Sequence, residues 1–429
     1  MELRILAAPT EQQVLLDLPW DIPLEEWPEW YLVALPRGIS RHVVRFTRLG
    51  RRVYALKEVV ESYARKEYRL LRDLERLDVP SVEAVGIVTG REAPDGTPLD
   101  PVLVTRHLQF SLPYRALFCR QMRGDTVHRL IDALVVLFAR LHLLGFYWGD
   151  CSLSNTLFRR DAGAFSAYLV DAETGELHNQ LSDGQRAQDL EVARINIAGE
   201  LMDLHAGELL DDSIDPIEMS DEVVARYEGL WAELTRWEAF DVNDRWRISQ
   251  RVERLNQLGF DVAELDIVTD IGGRTVRVQP KVVDPGHHSR RLMRLTGIDA
   301  QENQARRLLN DLDAYAAYTD QQGEDEEILA HEWVTACFEP VVRSVPRELR
   351  GKLEPAEVFH EVLEHRWYLA ERTQRPVGID EAAKSYVDDV LRHKPDEKAV
   401  LGRAVGSIAD ESDLEDTQPF RLPISELLP

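Results

Sequence analysis

The sequence of 429 residues predicts an α+β fold that begins with a β-rich segment and continues as a long helical portion. Two observations support this prediction. Short runs of alternating apolar and polar residues, which is the period of a strand, concentrate in residues 27–108. Longer runs in which apolar residues return every three or four positions, the period of a helix, dominate after residue 109. Because the chain is longer than one ordinary hydrophobic core supports, we expect two domains.

The composition narrows the class of protein. A formal net charge of −25 argues against a nucleic acid as the main partner, because binding to its phosphates needs an excess of Lys and Arg. The hydrophobic share of 44% and the charged share of 30% are typical of a globular protein. No signal peptide and no apolar run of roughly 18 residues is apparent, so we expect a cytoplasmic protein without a membrane span.

The β-rich segment follows an N-terminal arm of residues 1–26. One helix is predicted over residues 61–77, and Pro80 stops it because proline lacks the backbone donor that a helix needs. Ala55 and Lys57 share one face of a strand, where a small Ala leaves room for a purine ring and Lys reaches the phosphates. The strands are predicted near residues 31–34, 42–48, 52–60, 85–89 and 102–106.

One carboxylate of the predicted helix falls on its apolar side. Glu67 interrupts a stripe formed by Tyr63, Leu70, Leu71, Leu74 and Leu77. A carboxylate on a buried face is costly unless a cation pairs with it. Lys57 on the adjacent strand is the expected partner, and such a Lys–Glu pair belongs to the phosphate site of kinases. The alternative is that Glu67 lies at the edge of the stripe, in water.

A polar loop places Asp150 five residues before Asn155, and Asp171 ends a short apolar strand downstream. Kinases need this set: one acid orients the attacking hydroxyl, while an amide oxygen and a second acid hold Mg²⁺, which prefers oxygen ligands. An Asp that ends a strand before a turn is common on its own. A protein-kinase-like bilobal fold, with a β-rich N-lobe and a helical C-lobe, is therefore predicted from the order of Lys57, Glu67, Asp150, Asn155 and Asp171.

The loop motif also resembles that of a known family. Leu141-His142, Gly145, Gly149-Asp150 and Asn155 are similar to the catalytic loop of bacterial small-molecule and sugar kinases. The first half of the chain resembles the lipopolysaccharide-core (Kdo/heptose) kinase family. The chain is also similar to actinobacterial proteins that join such a half to a C-terminal domain of unknown function. The resemblance implies an ATP- and Mg-dependent phosphotransferase that transfers the γ-phosphate to an unidentified hydroxyl-bearing substrate.

The resemblance assigns a role to each matching residue. Lys57 would hold the α- and β-phosphates of ATP, and Glu67 would orient Lys57. Asp150 would position the acceptor hydroxyl, and Asn155 and Asp171 would bind the metal ion. The protein is therefore expected to catalyse the transfer by positioning the reactants and by neutralising charge around a bound nucleotide.

Two departures from the family pattern leave other functions open. Trp148 stands where the family usually has His or a similar polar residue, and no G-x-G-x-x-G loop is present. Gly38 is the glycine expected to close over the phosphates instead. Asp189, the expected brace of the catalytic loop, follows Asp171 by only 18 positions, without the peptide platform of protein kinases. A catalytically weak ATP-binding pseudokinase that regulates a partner, and an AMP transferase on the same scaffold, are the alternatives.

The composition also divides the chain into segments. We predict an N-lobe over 27–108, a C-lobe over 109–205, an acidic connector over 206–222, a mainly helical domain over 223–395 and an acidic, disordered tail over 396–429. The connector is alternatively a solvated loop of the C-lobe. The helical domain, a candidate site for a protein partner, includes a small β-hairpin turning at Gly272-Gly273. Its basic cluster, either an anion site or a solvated face, consists of Arg274, Arg277, Lys281, Arg290, Arg291 and Arg294.

Overall fold

The computed structural model describes residues 2–33, 35, 42–50, 52–117, 124–241, 245–257, 260–269 and 275–394. It shows the predicted α+β class: a protein-kinase-like bilobal fold followed by a mainly helical region with a small antiparallel sheet. Three predicted features lie outside the described residues, namely Gly38, the turn at Gly272-Gly273 and the tail 396–429. No described helix is long and apolar enough to cross a membrane.

The N-lobe is built on a five-stranded antiparallel sheet with the order β1-β4-β5-β3-β2. The segment predicted as an N-terminal arm supplies the edge strand β1 and helix α1 (Pro9–Leu15). Gly86 lets β1 approach, since a Cβ there would lie 2.6 Å from the carbonyl oxygen of Leu6. The five strands are β1 (Arg4–Ala7), β2 (Val43–Leu49), β3 (Arg52–Glu58), β4 (Glu83–Thr89) and β5 (Val102–Arg106).

The strand predicted at residues 31–34 is not formed by residues 31–33. Pro28, whose φ is fixed near the value that a helical turn needs, begins a 3₁₀ turn over Glu29–Tyr31. Beyond this turn, the backbone N–H of Val33 bonds to the carbonyl oxygen of Phe46 at 2.8 Å. The alternating apolar residues there pack beside the sheet without joining its ladder.

Helix α2 (Glu61–Arg76) lies where the sequence predicts it, but its buried face differs from the predicted stripe. The buried residues are Ala64, Glu67, Leu71 and Leu74, which recur at steps of three or four. Tyr63 and Leu77 are exposed, so their assignment to the buried stripe was wrong. The buried face of α2 is shifted by about one residue from the predicted stripe, because the small residue Ala64 contacts the sheet.

The C-lobe surrounds the long helix α4 (Gly124–Leu143), preceded by α3 (Tyr114–Leu117). A three-stranded sheet joins β6 (Ser111–Pro113), β8 (Thr156–Asp161) and β9 (Ala164–Leu169). A smaller pair joins β7 (Phe146–Tyr147) to β10 (Glu176–Leu177). Helix α5 (Asp183–Ala206) begins with a capping box between Ser182 and Gln185.

The predicted acidic connector contains the start of helix α6 (Pro216–Thr235). Asp215 caps this helix, accepting hydrogen bonds from the backbone N–H groups of Ile217 and Glu218. Beyond the connector, Tyr227 of α6 and then Phe260 pack into the C-lobe core. The C-lobe core therefore continues well past the predicted boundary at residue 223.

The rest of the chain forms a small sheet and a separate helical core. The sheet has the order β11-β13-β12 and contains a third strand that the sequence did not predict, β11 (Glu238–Asp241). Its other strands are β12 (Phe260–Thr269) and β13 (Thr275–Pro285), and α7 (Arg245–Gln257) precedes them. The separate core extends from Leu292 to Leu391. Its helices are α8 (His287–Thr296), α9 (Glu302–Tyr318), α10 (Glu326–Trp333), α11 (Glu339–Ser344), α12 (Pro355–Thr373) and α13 (Ile379–Asp389).

The tip of the β8–β9 hairpin joins the kinase-like half to this helical domain. Asp161 is buried and accepts hydrogen bonds from the backbone N–H groups of Asn303, at 3.2 Å, and Gln304, at 2.8 Å. It thereby satisfies donors in the first turn of α9, where a negative charge is also favoured by the helix dipole. Next to it, the backbone N–H of Ala162 donates to Glu357 of α12 at 2.9 Å. A residue of one half therefore caps a helix of the other.

Candidate active site

A cleft of about 900 Å³ opens between the two lobes of the kinase-like half. The N-lobe contributes Ala55 and Lys57 from β3, whose side chains lie on the same face as the pattern predicts. The C-lobe contributes Asp150, Asn155 and Asp171. Glu67 of α2 also lines the cleft. Every predicted site residue that the structure describes is thus found around one cavity.

The Lys57 ammonium group is surrounded by carboxylates. Its Nζ donates to Glu67 at 3.0 Å, to Asp171 at 2.7 Å and to Glu173 at 3.0 Å. Because an ammonium has three N–H donors, these three contacts use all of them. Glu67 is 1% exposed, so the alternative in which it lies in water is excluded. The position of Glu67 on the buried face of α2 is explained by this ion pair.

The cluster around Lys57 has three carboxylates and one ammonium group, an arrangement that favours binding of an added cation. Burial by itself lowers the pKa of the Lys57 ammonium, but Glu67, Asp171 and Glu173 outweigh it and hold that pKa above its ordinary value. Burial and the charge of Asp171 raise the pKa of Glu67 to about 8, against the opposing effect of Lys57. The carboxylate oxygens of Glu67, Asp171 and Glu173 lie within 4.8 Å of one another. Such a set of hard oxygen ligands suits Mg²⁺.

Asp150 is held by two side-chain amides. Asn155 Nδ2 donates to its backbone oxygen at 2.9 Å and to its Oδ2 at 3.3 Å. On the other side, Asn196 Nδ2 of α5 donates to its Oδ1 at 3.0 Å. These bonds fix the carboxylate towards the cleft. They also leave Asn155 Oδ1 as the amide atom that can accept a bond or bind a metal ion.

A buried carboxylate braces the start of the catalytic loop. Asp189 of α5 is fully buried and accepts hydrogen bonds from the backbone N–H groups of Trp148, at 2.7 Å, and Gly149, at 2.8 Å. His142 Nε2 lies 3.1 Å from the same carboxylate, and burial lowers the pKa of this histidine against the effect of Asp189. His142 Nδ1 lies 2.6 Å from the Tyr227 hydroxyl. These contacts hold the buried imidazole of His142 in the core beside the loop.

Trp148 connects the predicted catalytic loop to the segment that carries Asp171. Its indole Nε1 donates to the backbone oxygen of Asp171 at 3.1 Å, and its side chain is completely buried. The backbone oxygen of Trp148 accepts from the Thr174 hydroxyl at 2.8 Å. Although the family usually has a polar residue at this position, Trp148 still links the segments that carry Asp150 and Asp171.

The middle of the catalytic loop is held by Glu200 of α5. This carboxylate accepts hydrogen bonds from the backbone N–H groups of Leu153, at 2.6 Å, and Ser154, at 3.0 Å. Burial raises the pKa of Glu200, whereas these bonds lower it. Because Asn196 and Glu200 lie one turn apart on α5, a single helix face supports both Asp150 and the loop that follows it.

Apolar side chains form the remaining walls of the cleft. Leu103, Leu157 and Val170, the residue before Asp171, line it. The connection between the lobes passes His107, where burial lowers the pKa to about 4, so this imidazole is neutral at physiological pH. The apolar side chains form a slot beside Ala55, the residue predicted to leave room for a purine ring.

The sequence did not identify three residues that the structure adds to the site. Glu173 contacts Lys57, with His42 Nε2 also 2.9 Å from its carboxylate. Asn196 and Glu200 support the catalytic loop. Glu173 lies two residues after Asp171, and this closeness in sequence could have identified it as part of the site. Asn196 and Glu200 occupy polar positions of α5 that resemble those of any exposed helix.

The two lobes, the cleft and the residues around it define a kinase-like protein. Residues 29–198 match the model of the Lipopolysaccharide kinase (Kdo/WaaP) family, and residues 229–391 match a Domain of unknown function (DUF4032). These matches confirm the resemblance seen in the sequence: a kinase-like half of the Kdo/WaaP type joined to a domain of unknown function. A solved structure described as "WaaP in complex with acyl carrier protein" matches with a TM-score of 0.36 and 14% identity, over 60% of this chain and 99% of that chain. None of the curated proteins matches the chain.

Proposed function

We propose that this protein transfers the γ-phosphoryl group of Mg-ATP to a hydroxyl group of a small molecule, sugar or lipid. The observation that carries the proposal is the ion cluster around Lys57, which uses all three ammonium donors on three carboxylates. An ion-pair cluster kept only for stability needs no third carboxylate, since every added buried acid costs desolvation. An excess of carboxylates is what a site for Mg²⁺ requires.

Binding of nucleotide would redistribute these contacts. Asp171 and Asn155 Oδ1 would hold Mg²⁺, which neutralises charge on the phosphates. With Asp171 turned to the metal ion, Lys57 has an N–H donor for the α- and β-phosphates. Glu67, buried on α2, keeps Lys57 in place. Ala55 and the apolar slot would bind the purine, and Gly38 remains the glycine predicted to cover the phosphates.

Asp150 would orient the acceptor hydroxyl. Asn155 and Asn196 hold its carboxylate in the cleft, so an incoming hydroxyl meets an acceptor that is already positioned. The segment between Asp171 and Asp189 supports a small acceptor. It passes through the short strand β10, which pairs with β7, and then enters the capping box of α5. A segment packed in this way offers no long platform for a peptide.

The test is incubation with Mg-ATP labelled at the γ- or the α-phosphate. We expect slow release of labelled phosphate or autophosphorylation from the γ-label, and at least about a hundredfold loss in Asp171→Asn and in Asp150→Asn, as for groups that position charge in the transition state. Asp212→Asn, at an exposed position between α5 and α6, is the matched control and should retain full activity.

The other outcomes separate the alternatives. Thermal stabilisation by Mg-ATP without turnover would indicate a pseudokinase. Incorporation of the α-label would indicate AMP transfer. If Mg-ATP neither binds nor stabilises the protein, the proposal is wrong in every version.

A further inference from the structure

A second cavity, of about 800 Å³, lies between the C-lobe and the helical domain, away from the nucleotide cleft. The kinase-like half lines it with parts of α4, β9 and α6. The helical domain lines it with the start of α8 and the segment that leads into α9. This volume is in the range of cavities that bind small organic molecules. Its apolar wall includes Val136, Phe165 and Leu230.

One half-buried charged side chain in this cavity has a buried nitrogen without a hydrogen bond to the described part of the chain. Arg140 of α4 lines the cavity, and its Nε is buried without a hydrogen bond. Its closest favourable contact is the ring of Phe260, 5.8 Å from the guanidinium carbon. Burial lowers the pKa of Arg140, which reflects the poor solvation of its charge. Enclosed guanidinium groups are normally paired or hydrogen-bonded.

The carboxylates nearest to Arg140 are engaged elsewhere. Asp161 accepts from the first turn of α9, as described above. Glu302 accepts from the backbone N–H groups of His288, at 2.7 Å, and Ser289, at 3.1 Å. These carboxylates, together with Asp78, still exert a negative potential on Arg140. An anion with one negative charge would be attracted by the guanidinium group. A second negative charge on the same molecule would be repelled by Asp161, Glu302 and Asp78.

We propose that the second cavity binds a small organic molecule that carries a single carboxylate. The carboxylate would form paired hydrogen bonds with the Arg140 guanidinium group, whose planar fork matches its geometry. The apolar body of the molecule would lie against Val136, Phe165 and Leu230. Because both halves of the chain line the cavity, the bound molecule would contact the kinase-like half and the helical domain together.

The test uses three probes with one apolar body: 4-phenylbutyrate, 4-phenyl-1-butanol and 4-phenylbutyl phosphate. Calorimetric titration of the full chain should show the carboxylate binding at least about tenfold more tightly than the alcohol, the usual gain from a charge-assisted pair. The phosphate dianion should bind more weakly than the carboxylate. Arg140→Met should abolish the preference for the carboxylate. Arg65→Met is the control: Arg65 is exposed on α2, outside the cavity, pairs with Glu61, and its loss should leave binding unchanged.

A second variant keeps the test decisive if Arg140→Met does not fold. Gly229 lines the cavity from α6, and a Cβ at this position meets no atom within 4 Å. Gly229→Phe should therefore fold, fill the entrance and lower the affinity for 4-phenylbutyrate by at least about tenfold, as expected when a ligand's apolar contacts are blocked. The proposal is overturned if the unmodified protein binds no probe at millimolar concentration, or if it prefers the alcohol or the phosphate. Equal affinity of 4-phenylbutyrate for Gly229→Phe and the unmodified protein would also overturn it.

Discussion

The buried Glu357 makes the contact between the two halves of the chain sensitive to pH. Its carboxylate accepts hydrogen bonds from Ala162 N at 2.9 Å and from Gln304 Nε2 at 2.8 Å. Burial, and next the charge of Glu361, raise the pKa of Glu357 from 4.5 to about 7. Above pH 4.5 the unfolded chain loses this proton, while the folded chain keeps it until about pH 7. Stability therefore falls as pH rises across this window.

The substitution Glu357→Gln removes the titrating group and keeps an oxygen that accepts both hydrogen bonds. A rise of the pKa from 4.5 to about 7 corresponds to about 3 kcal/mol, at about 1.4 kcal/mol per pH unit. At about pH 5, where both side chains are neutral in the folded state, we expect the two free energies of unfolding to agree within about 1 kcal/mol. At about pH 8 the variant should be more stable by about 3 kcal/mol.

Urea denaturation at several pH values between these limits, followed by circular dichroism and tryptophan fluorescence, measures this difference. Glu371→Gln, at an exposed position of the same helix, is the control and should follow the unmodified protein at every pH. If the stability gap between Glu357→Gln and the unmodified protein stays constant from pH 5 to pH 8, the buried carboxyl of Glu357 does not control the pH dependence, and the reasoning is refuted.

Three further predictions concern the kinase-like half. Asp189→Ala leaves the buried N–H groups of the catalytic loop without an acceptor and should lower the unfolding free energy by about 3 kcal/mol; a change below about 0.5 kcal/mol in urea denaturation contradicts the bracing role. Gly145→Ala should cost about 3 kcal/mol, because its φ is +78° and a Cβ would lie 2.1 Å from the backbone oxygen of His178; Gly163→Ala, also at positive φ but in open space, isolates the clash as the control. Glu173→Gln should tighten ATP binding without Mg²⁺ by about tenfold, because it removes a negative charge beside Lys57 that repels the phosphates; unchanged affinity in calorimetry would show that Glu173 does not compete with the phosphates.

The parts of the site that the sequence predicted rest on local patterns. Strand alternation places Ala55 and Lys57 on one face, and the helical period places Glu67 on a buried one, so their pairing follows from two neighbouring elements. The spacing of Asp150 and Asn155 similarly belongs to one short loop. Each of these inferences needs only a few consecutive residues, where the periods of strands and helices are reliable guides.

The parts that the sequence missed depend on contacts between distant segments. Asn196 and Glu200 reach the catalytic loop only because α5 packs beside it, and their own helix carries no pattern that marks them. The acidic run before α6 predicts a connector, because its charged residues are expected to face solvent. In the structure, Met219 and Tyr227 on the other side of α6 face the C-lobe core. Burial of that helix is decided by the neighbouring helices α4 and α5, which a local pattern does not contain.

The β8–β9 hairpin has Asn155 and Asp171, the predicted metal ligands, at one end and the helical domain at the other. Asn155 immediately precedes β8, and Asp171 follows β9 after one residue. At the other end, α9 and Glu357 hold Asp161 and Ala162. A strand of six residues spans about 20 Å, and β8 is paired with β9 along all six of its positions. A tilt of α9 would therefore be transmitted along the hairpin to Asn155 and Asp171, which gives the helical domain a mechanical connection to the cleft that it does not enter.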